Sequence, residues 1–275
     1  IYERLGSRDD ISLLLIDEAK RKDPEAAVDY YHEVGYPKES VLEYLLTIAN
    51  SNYEEWRRDN PALSREEFPF SLSHMSKAGA LFDLAKLNDI SKIYIATLDA
   101  NTVYDAVYTW AKQYRPDFAE ELSSDSGYAH RIFAIERGNE KPRKDIAKWE
   151  DTVDYIDYFY RRPESPDFPE NLSDADMIEI LETYKTVYRA DDSQEDWFPR
   201  IREMSENLGY AKAPKIYKKD PDSYKGHVGD VSTVIRAAAT GRRNTPDLYQ
   251  ILQVLGEEET QARFDSAINL LKARG

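Results

Sequence analysis

Residues 229–256, GDVSTVIRAAATGRRNTPDLYQILQVLG, predict two helices that meet at a basic turn. The first helix covers 232–240, a run of small residues that suit a helix, and Gly241 stands where helices commonly end in a left-handed cap. The second helix has an apolar stripe at helical spacing and ends at Gly256. Its stripe consists of Leu248, Ile251, Leu252 and Leu255. This pattern is typical of a buried helical hairpin.

The start of the second helix carries helix-initiating residues. Thr245 is the predicted N-cap, Pro246 the first helical residue and Asp247 a first-turn acid that favours the positive end of the helix dipole. We expect three arginines to converge there with free backbone amides: Arg236, Arg242 and Arg243. Such a corner could bind an anion. An ordinary hairpin with solvated arginines has the same pattern, and the pattern alone favours it.

The composition limits the possible classes of function. The 275 residues are enough for two or three domains. A formal net charge of -15 argues against indiscriminate nucleic-acid binding, and we expect no DNA partner. With no cysteine, disulfides, thiolate nucleophiles and cysteine zinc sites are excluded. Neither a membrane-spanning apolar run nor a signal-peptide pattern is present, so we expect no membrane partner and a cytoplasmic location.

The hydrophobic period is helical along the whole chain. Helices are expected from a cap at Asp23 to Gly35 and after a capping box of Ser64 with Glu67. No alternating strand pattern is longer than a few residues, so the sequence predicts an all-α fold. The segment 161–173, RRPESPDFPENLS, has three prolines and is the predicted linker.

Basic residues are concentrated although the chain is acidic. Besides the basic turn, they gather in 137–148 and 212–225, whereas 174–196 forms an acidic face. This distribution favours the binding of a specific polyanion over a diffuse electrostatic attraction by the whole surface. The basic residues of 137–148 are Arg137, Lys141, Arg143, Lys144 and Lys148. Those of 212–225 are Lys212, Lys215, Lys218, Lys219 and Lys225.

The sequence has no pattern of a catalytic or metal site. Its four histidines stand alone, and neither a nucleophile elbow, a phosphate-binding loop nor a dinucleotide fingerprint is present. Adjacent acids such as Asp191 and Asp192 are typical of a solvated face. We therefore expect no catalytic residue, no metal ligand and no cofactor in this chain.

Four segments, in order, resemble the C-terminal part of bacterial glutamyl-tRNA synthetases, which are class I aminoacyl-tRNA synthetases. These segments are KRKDPEAAVDYYHEVGYPKESVLEYL at 20–45, GALFDLAKLNDIS at 79–91, RGNEKPRKDIAKW at 137–149 and KGHVGDVSTVIRAAATGRRNTPDLYQILQVLG at 225–256. The resemblance implies a stem-contact helical domain over 1–98 and two helical anticodon-binding subdomains. The subdomains would cover 99–165 and 166–275.

The resemblance also implies a function. The parent enzyme is a ligase of protein biosynthesis that joins glutamate to its tRNA with ATP and Mg²⁺. The class I catalytic Rossmann domain is absent here, and the signature loop near 17–22 keeps only a final Lys-Arg pair. ATP binding is therefore not transferred to Lys20 or Arg21, and we expect this chain to bind tRNA without charging it alone.

The resemblance assigns site residues position by position. Unpaired anticodon bases can be read by arginine forks, backbone groups and apolar side chains. The expected anticodon contacts are Arg143, Arg236, Thr245, Pro246 and Leu248, and the expected phosphate contacts are Lys141, Lys144, Arg242 and Arg243.

A different class of function remains possible from composition alone. An acidic helical scaffold that binds proteins would also have many helices and a large negative charge. Such arrays usually show a fixed repeat period, and this sequence has none.

Overall fold

The structure is a computed structural model that describes residues 28–71, 73 and 83–274. The predicted cap at Asp23, the signature-loop remnant at 17–22 and the start of the second resembling segment lie outside the described residues. Within them the chain forms thirteen α-helices and no strand, apart from one isolated parallel bridge between Ala211 and His227. The predicted all-α fold is confirmed.

The chain divides into two compact units. One combines Ile1–Asp125 with Arg137–Tyr155, and the other combines Ser126–Glu136 with Ile156–Gly275. We call them unit 1 and unit 2. This division reports packing only, so the three functional regions expected at 1–98, 99–165 and 166–275 remain a prediction.

Unit 1 is built from short helices around aromatic side chains. A small core of Tyr36, Tyr44 and Leu87 joins the second and fourth helices. The predicted capping box of Ser64 with Glu67 is present, on a 3₁₀ turn. The helices are α1 Val28–Glu33, α2 Lys38–Ala49, α3 Tyr53–Asp59, α4 Leu84–Thr97, α5 Ala100–Tyr114 and α6 Pro116–Ser124. A further helix, α8 Asp151–Tyr160, starts in this unit and ends in unit 2.

Gly35 shows why a glycine follows α1. Its φ is 82°, a left-handed conformation that side-chain-bearing residues rarely adopt. A Cβ there would lie 2.7 Å from the Cβ of Trp149 and 2.9 Å from the ring of Trp110. Both indole residues are tied to this turn, since the amide of Trp149 donates to the Gly35 carbonyl at 2.9 Å and Trp110 Nε1 donates to the Glu33 carbonyl at 2.9 Å.

Unit 2 encloses one central helix. Its helices are α7 Ser126–Ala134, α9 Asp174–Val187, α10 Gln194–Asn207, α11 Pro214–Tyr217, α12 Val228–Thr240 and α13 Leu248–Lys272. Helices α9, α10 and α13 all pack against α12, and eight of the thirteen residues of α12 are buried. Three consecutive alanines, Ala237 to Ala239, allow this close approach because they add little volume on any side.

The ends of these helices agree in part with the sequence pattern. Gly256 breaks α13 with φ 77° and ψ 170°, so the apolar stripe ends where expected and a second helical segment continues to Lys272. The segment 161–173 contains no helix, but it lies within unit 2 and buries Phe168 and Leu172 in the core of that unit. Its role as a linker between subdomains stays a prediction. Among the described residues, no helix is both long and apolar enough to cross a membrane.

Candidate nucleic-acid interface

The basic turn of the sequence forms the corner between α12 and α13. Helix α12 begins with a capping box in which His227 Nδ1 accepts from the Gly229 amide at 3.0 Å and Asp230 accepts from the His227 amide at 2.8 Å. It ends at Gly241, which has φ 79° and whose amide donates to the Ala237 carbonyl at 2.8 Å. The predicted left-handed cap at Gly241 is therefore confirmed.

The predicted start of the second helix is wrong by two residues. Helix α13 begins at Leu248, and the cap is Asp247, whose Oδ1 accepts from the Gln250 amide at 2.9 Å. Thr245 is not the N-cap and Pro246 is not the first helical residue. The physical reason is that the Thr245 hydroxyl is hydrogen-bonded to Arg236, which leaves the capping role to the aspartate carboxylate.

The amides at this helix start are not all free to receive an anion. The Asp247 amide donates to Glu136 Oε2 at 3.1 Å, and the Glu136 amide donates to Gln250 Oε1 at 2.9 Å. Together with the Asp247 cap, these bonds occupy groups that an anion would need. Two amides of this helix start, those of Asp247 and Gln250, therefore already have acceptors, and the anion site itself stays a prediction.

Arg236 braces the corner from the inside. It is half-buried, and its Nη1 donates to the Pro246 carbonyl at 2.7 Å, to the Thr245 carbonyl at 3.3 Å and to the Thr245 hydroxyl. Hydrogen bonds from a charged donor are roughly twice as strong as neutral ones. Arg236 therefore holds the backbone of the loop in place just before α13.

Three expected anticodon contacts lie beneath the surface of this corner. Thr245 is 7% exposed and Leu248 is 3% exposed, and Pro246 is also buried. The exposed residues of the loop are Arg243 and Asn244. The buried set shapes the loop, and in this conformation the exposed pair is what a ligand would meet first.

Both loop arginines have carboxylate partners. Arg242 Nη2 lies 2.7 Å from Asp157 Oδ1, and its guanidinium stands 5.3 Å from the centre of the Tyr158 ring. Arg243 Nε lies 2.8 Å from Asp167 Oδ2, and this hydrogen bond raises the pKa of the arginine. An incoming phosphate would have to compete with these carboxylates for the same guanidinium groups.

The proline-rich linker is attached to the corner. The Asp167 amide donates to the Gly241 carbonyl at 3.0 Å, and a Cβ on Gly241 would lie 3.2 Å from the Cβ of Pro163. Asp167 thus binds the loop twice, through its amide and through its carboxylate. The linker of unit 2 consequently has a defined position beside the basic loop.

Arg263 is the residue that sequence reasoning missed. Its side chain is 1% exposed, and its Nη1 donates to the Tyr158 carbonyl at 2.5 Å and to the Ala239 carbonyl at 2.6 Å. Its Nε donates to Glu259 at 2.8 Å. The available signal was the i,i+4 spacing of Glu259 and Arg263, which is more often found on exposed helix faces. Nothing in the local sequence indicates that this arginine points inward to the last turn of α12.

Glu259 connects Arg263 to the linker. Its carboxylate also accepts from Arg162, with Arg162 Nη2 and Glu259 Oε2 2.7 Å apart. The hydrogen bond from Arg162 lowers the pKa of Glu259, and the bond from Arg263 acts in the same direction. One carboxylate between two guanidinium groups thus joins the linker, α13 and the end of α12.

The second basic segment, 137–148 of unit 1, is largely satisfied internally. Arg137 Nη1 donates to the Ile95 carbonyl at 2.9 Å and to the Leu98 carbonyl at 3.2 Å, and burial lowers the pKa of its guanidinium. Lys148 is paired with Asp151. These two cations stabilise the fold of unit 1.

The expected site residues of this segment differ from one another in exposure. Arg143 Nε lies 2.5 Å from Asp145 Oδ2, and the same carboxylate accepts from the Tyr155 hydroxyl at 3.0 Å. Lys141 and Lys144 are exposed, and neither makes an ion pair with any residue of the described chain. The two lysines are available to a polyanion, and Arg143 is available if it leaves Asp145.

No metal centre is found in the part of the chain that the structure describes. Over residues 28–71, 73 and 83–274, no group of three or more histidine, aspartate or glutamate side chains could hold an ion.

This chain is similar to known glutamate–tRNA ligases. Residues 222–268 match the family described as an anticodon binding domain, which covers the corner between α12 and α13. The chain is 45% identical over 259 residues to a glutamate–tRNA ligase of Clostridium beijerinckii, with 92% of this chain and 47% of that protein aligned. It is 44% identical to the glutamate–tRNA ligase of Acetivibrio thermocellus, with 90% and 45% aligned.

Solved structures show the same fold. A glutamate tRNA ligase from Elizabethkingia meningosepticum, crystallised in complex with its amino acid, superimposes with a TM-score of 0.58 at 20% identity. That match covers 88% of this chain and 43% of the other. The chain thus spans about half the length of the curated relatives it matches, and no comparison favours the acidic scaffold. The chain is homologous to glutamate–tRNA ligases, and the part of them that it matches is their C-terminal region.

Proposed function

We propose that this chain is the tRNA-reading part of a glutamate–tRNA ligase and binds glutamate-accepting tRNA by its stem side and its anticodon. The observation that carries the proposal is the anticodon-binding match over 222–268, which contains the braced corner between α12 and α13. In the complete cytoplasmic enzyme, this recognition would place the tRNA for attachment of glutamate with ATP and Mg²⁺.

The functional regions follow the resemblance. Residues 1–98 would contact the stem side of the tRNA, and 99–165 and 166–275 would contact the anticodon arm. The catalytic groups and the binding of ATP and Mg²⁺ would belong to the part of the enzyme that this chain does not contain. Unit 1 and unit 2 each supply cations for this task, at 137–148 and at the α12–α13 corner.

The proposed contacts divide by exposure. Phosphates would be met by Lys141, Lys144, Arg242 and Arg243, of which Arg242 and Arg243 must leave Asp157 and Asp167. The anticodon residues would be Arg143, Arg236, Thr245, Pro246 and Leu248. Because Thr245, Pro246 and Leu248 are buried, their role would be to set the shape against which an unpaired base is read.

Arg236 is both an expected anticodon contact and the donor that holds the loop before α13, so it is the most informative residue to change. In Arg236→Ala the corner loses the donor that holds Thr245 and Pro246. We expect binding of glutamate tRNA to weaken by about 1–3 kcal/mol, and the preference over an anticodon-swapped tRNA to relax. Binding of both tRNAs should be measured at several salt concentrations, with urea unfolding as the test of folding.

Two control variants separate the explanations. Arg236→Lys keeps the charge but replaces the planar guanidinium by a shorter side chain that ends in a compact ammonium group. Arg202→Ala removes an exposed arginine from α10, outside the corner. Equal and negligible binding of both tRNAs by the unchanged chain, even at low salt, would refute the proposed function. Loss of stability in Arg236→Ala with an unchanged anticodon preference would leave Arg236 with a structural role only.

A further inference from the structure

The lysines of unit 2 fall into two groups. Unit 2 contains seven lysines, and four of them lie within ion-pair distance of a carboxylate: Lys185, Lys212, Lys225 and Lys272. The other three are exposed and lie within a stretch of five residues: Lys215, Lys218 and Lys219. We call these three the lysine turn, since they lie on α11 and immediately after it. None of the three makes an ion pair with a residue of the described chain.

The fold holds the backbone of the lysine turn in place. The segments on its two sides are hydrogen-bonded to each other. The Ala211 amide donates to the Gly226 carbonyl at 2.9 Å, and the Val228 amide donates to the Ala211 carbonyl at 2.8 Å. Within it, the Tyr217 ring meets the His227 ring edge-on at 5.7 Å between centroids. His227 is also the N-cap of α12, so the turn is fixed to the first residues of that helix.

This placement puts a basic group at each end of α12. The lysine turn lies at the N-terminal end, and Arg242 and Arg243 follow the C-terminal end. Thirteen helical residues with a rise of 1.5 Å separate the two ends by about 20 Å. Double-stranded DNA carries a phosphate about every 3.4 Å of helix axis along one strand, and on that scale about 20 Å corresponds to about six nucleotides of one strand.

The chemistry of the turn favours RNA over a lipid surface. Stable binding in a membrane interface uses an apolar helix face or a lipid anchor in addition to basic charge. Helix α11 has four residues, PKIY, and its two apolar side chains are already half-buried. Three solvated ammonium groups without an apolar face suit a chain of phosphates, which needs charge and little shape.

We propose that the lysine turn is a second phosphate-binding surface for the tRNA that the α12–α13 corner reads. This inference rests on the proposed function. The turn precedes residues 222–268, so the anticodon-binding match does not include it. The turn adds affinity without sequence preference, because ammonium groups bind phosphates as point charges. The corner supplies the preference for one anticodon.

The test is a charge-removal variant of the full 275-residue chain, K215Q/K218Q/K219Q. Affinity for glutamate tRNA and for an anticodon-swapped tRNA is measured as a function of salt concentration. Each lost phosphate contact lowers the slope of log affinity against log salt by about 0.7–0.9. We expect the slope to fall by about two to three in the triple variant, with an unchanged ratio of the two affinities and an unchanged urea midpoint.

Single variants provide a matched control. Lys218→Gln removes one cation from the turn, and Arg202→Gln removes one exposed cation from α10 that has no carboxylate partner in the described chain. We expect only Lys218→Gln to lower the slope. Equal effects of the two variants would mean that net charge alone is responsible, which would overturn the inference.

The remaining outcomes are also decisive. An unchanged slope in the triple variant, with tRNA binding and anticodon preference intact in the unchanged chain, would overturn the lysine turn and leave the proposed function standing. An unchanged chain that binds neither tRNA would overturn both. Binding to phosphatidylserine vesicles that disappears in the triple variant, with tRNA binding intact, would assign the turn to a lipid surface instead.

Discussion

The two ends of helix α12 are both basic, but their cations differ in whether they are bonded to other groups of the protein. At the C-terminal end, Arg236 donates to backbone carbonyls, and Arg242 and Arg243 pair with Asp157 and Asp167. At the N-terminal end, the three cations of the lysine turn have no carboxylate partner within the described chain. One end therefore has its charge organised by the fold, whereas the other presents its charge to solvent.

The difference follows from the chemistry of the two side chains. A guanidinium group is planar with five donors, so it can brace several oxygens at once and define a shape. An ammonium group is a compact and strongly hydrated charge, so it loses little by remaining in water. The arginine end is suited to recognition by shape, and the lysine end is suited to attraction at longer range.

The largest expected effect is on stability at the arginine end. In Arg263→Met the Tyr158 and Ala239 carbonyls lose their buried donor, and Glu259 keeps only Arg162. A buried carbonyl left without a donor typically costs about 1–3 kcal/mol of the free energy of unfolding, and this substitution leaves two. Urea unfolding of the chain measures this loss, and the anticodon preference should relax because the last turn of α12 is no longer held.

A control variant uses the same carboxylate. Arg162→Met removes the exposed partner of Glu259 and leaves Arg263 in place. Because that side chain is 55% exposed, its loss should change the unfolding midpoint far less. Similar midpoints for Arg263→Met and Arg162→Met would contradict the view that Arg263 organises this end of α12.

A smaller effect is expected from freeing Arg243. Asp167→Asn removes the carboxylate 2.8 Å from Arg243 but keeps the backbone bond from its amide to Gly241. Both side chains are about half exposed, so stability should be nearly unchanged. tRNA should bind more tightly, and the slope against log salt should steepen by about one if the released guanidinium then binds a phosphate.

Net charge alone could also tighten binding, and a matched variant addresses this. Glu203→Gln removes one exposed negative charge from α10, away from the loop of Arg242 and Arg243. An equal gain in Glu203→Gln and Asp167→Asn would show that Asp167 does not compete with phosphate. A gain confined to Asp167→Asn would support a carboxylate that RNA must displace.

The smallest expected effect is a change in how the stability of the chain depends on pH. The bond from Arg162 lowers the pKa of Glu259 in the folded chain, so the folded state binds fewer protons than the unfolded state near pH 4. Its contribution to stability is therefore complete above the ordinary glutamate pKa and is lost as pH falls through the depressed folded value. Stability should decline below about pH 4.5, and Glu259→Gln should show a flatter decline in urea unfolding measured across that range. Parallel pH profiles would exclude Glu259 as a source of the acid sensitivity.

Much of the fold could be predicted because the deciding signals are local. The all-α class follows from the apolar period, and the Gly241 cap, the Gly256 break and the capping box of Ser64 follow from single residues. The start of α13 could not be placed correctly, since Thr245 and Asp247 both suit a cap. The choice between them was made by Arg236, nine residues away from Thr245, through a contact that no local rule describes.

The sequence by itself determined which segments are helical and where the glycines end them, because these properties depend on neighbours within a few residues. It also contains the four segments that resemble glutamyl-tRNA synthetases. Only the tertiary structure decided which charges are available. It buried Arg263 behind the end of α12, paired Arg242 and Arg243 with acids far away in sequence, and left the lysine turn in solvent. A charge acts over the few ångströms that separate it from its partner in space, and that distance is set by packing and not by sequence order.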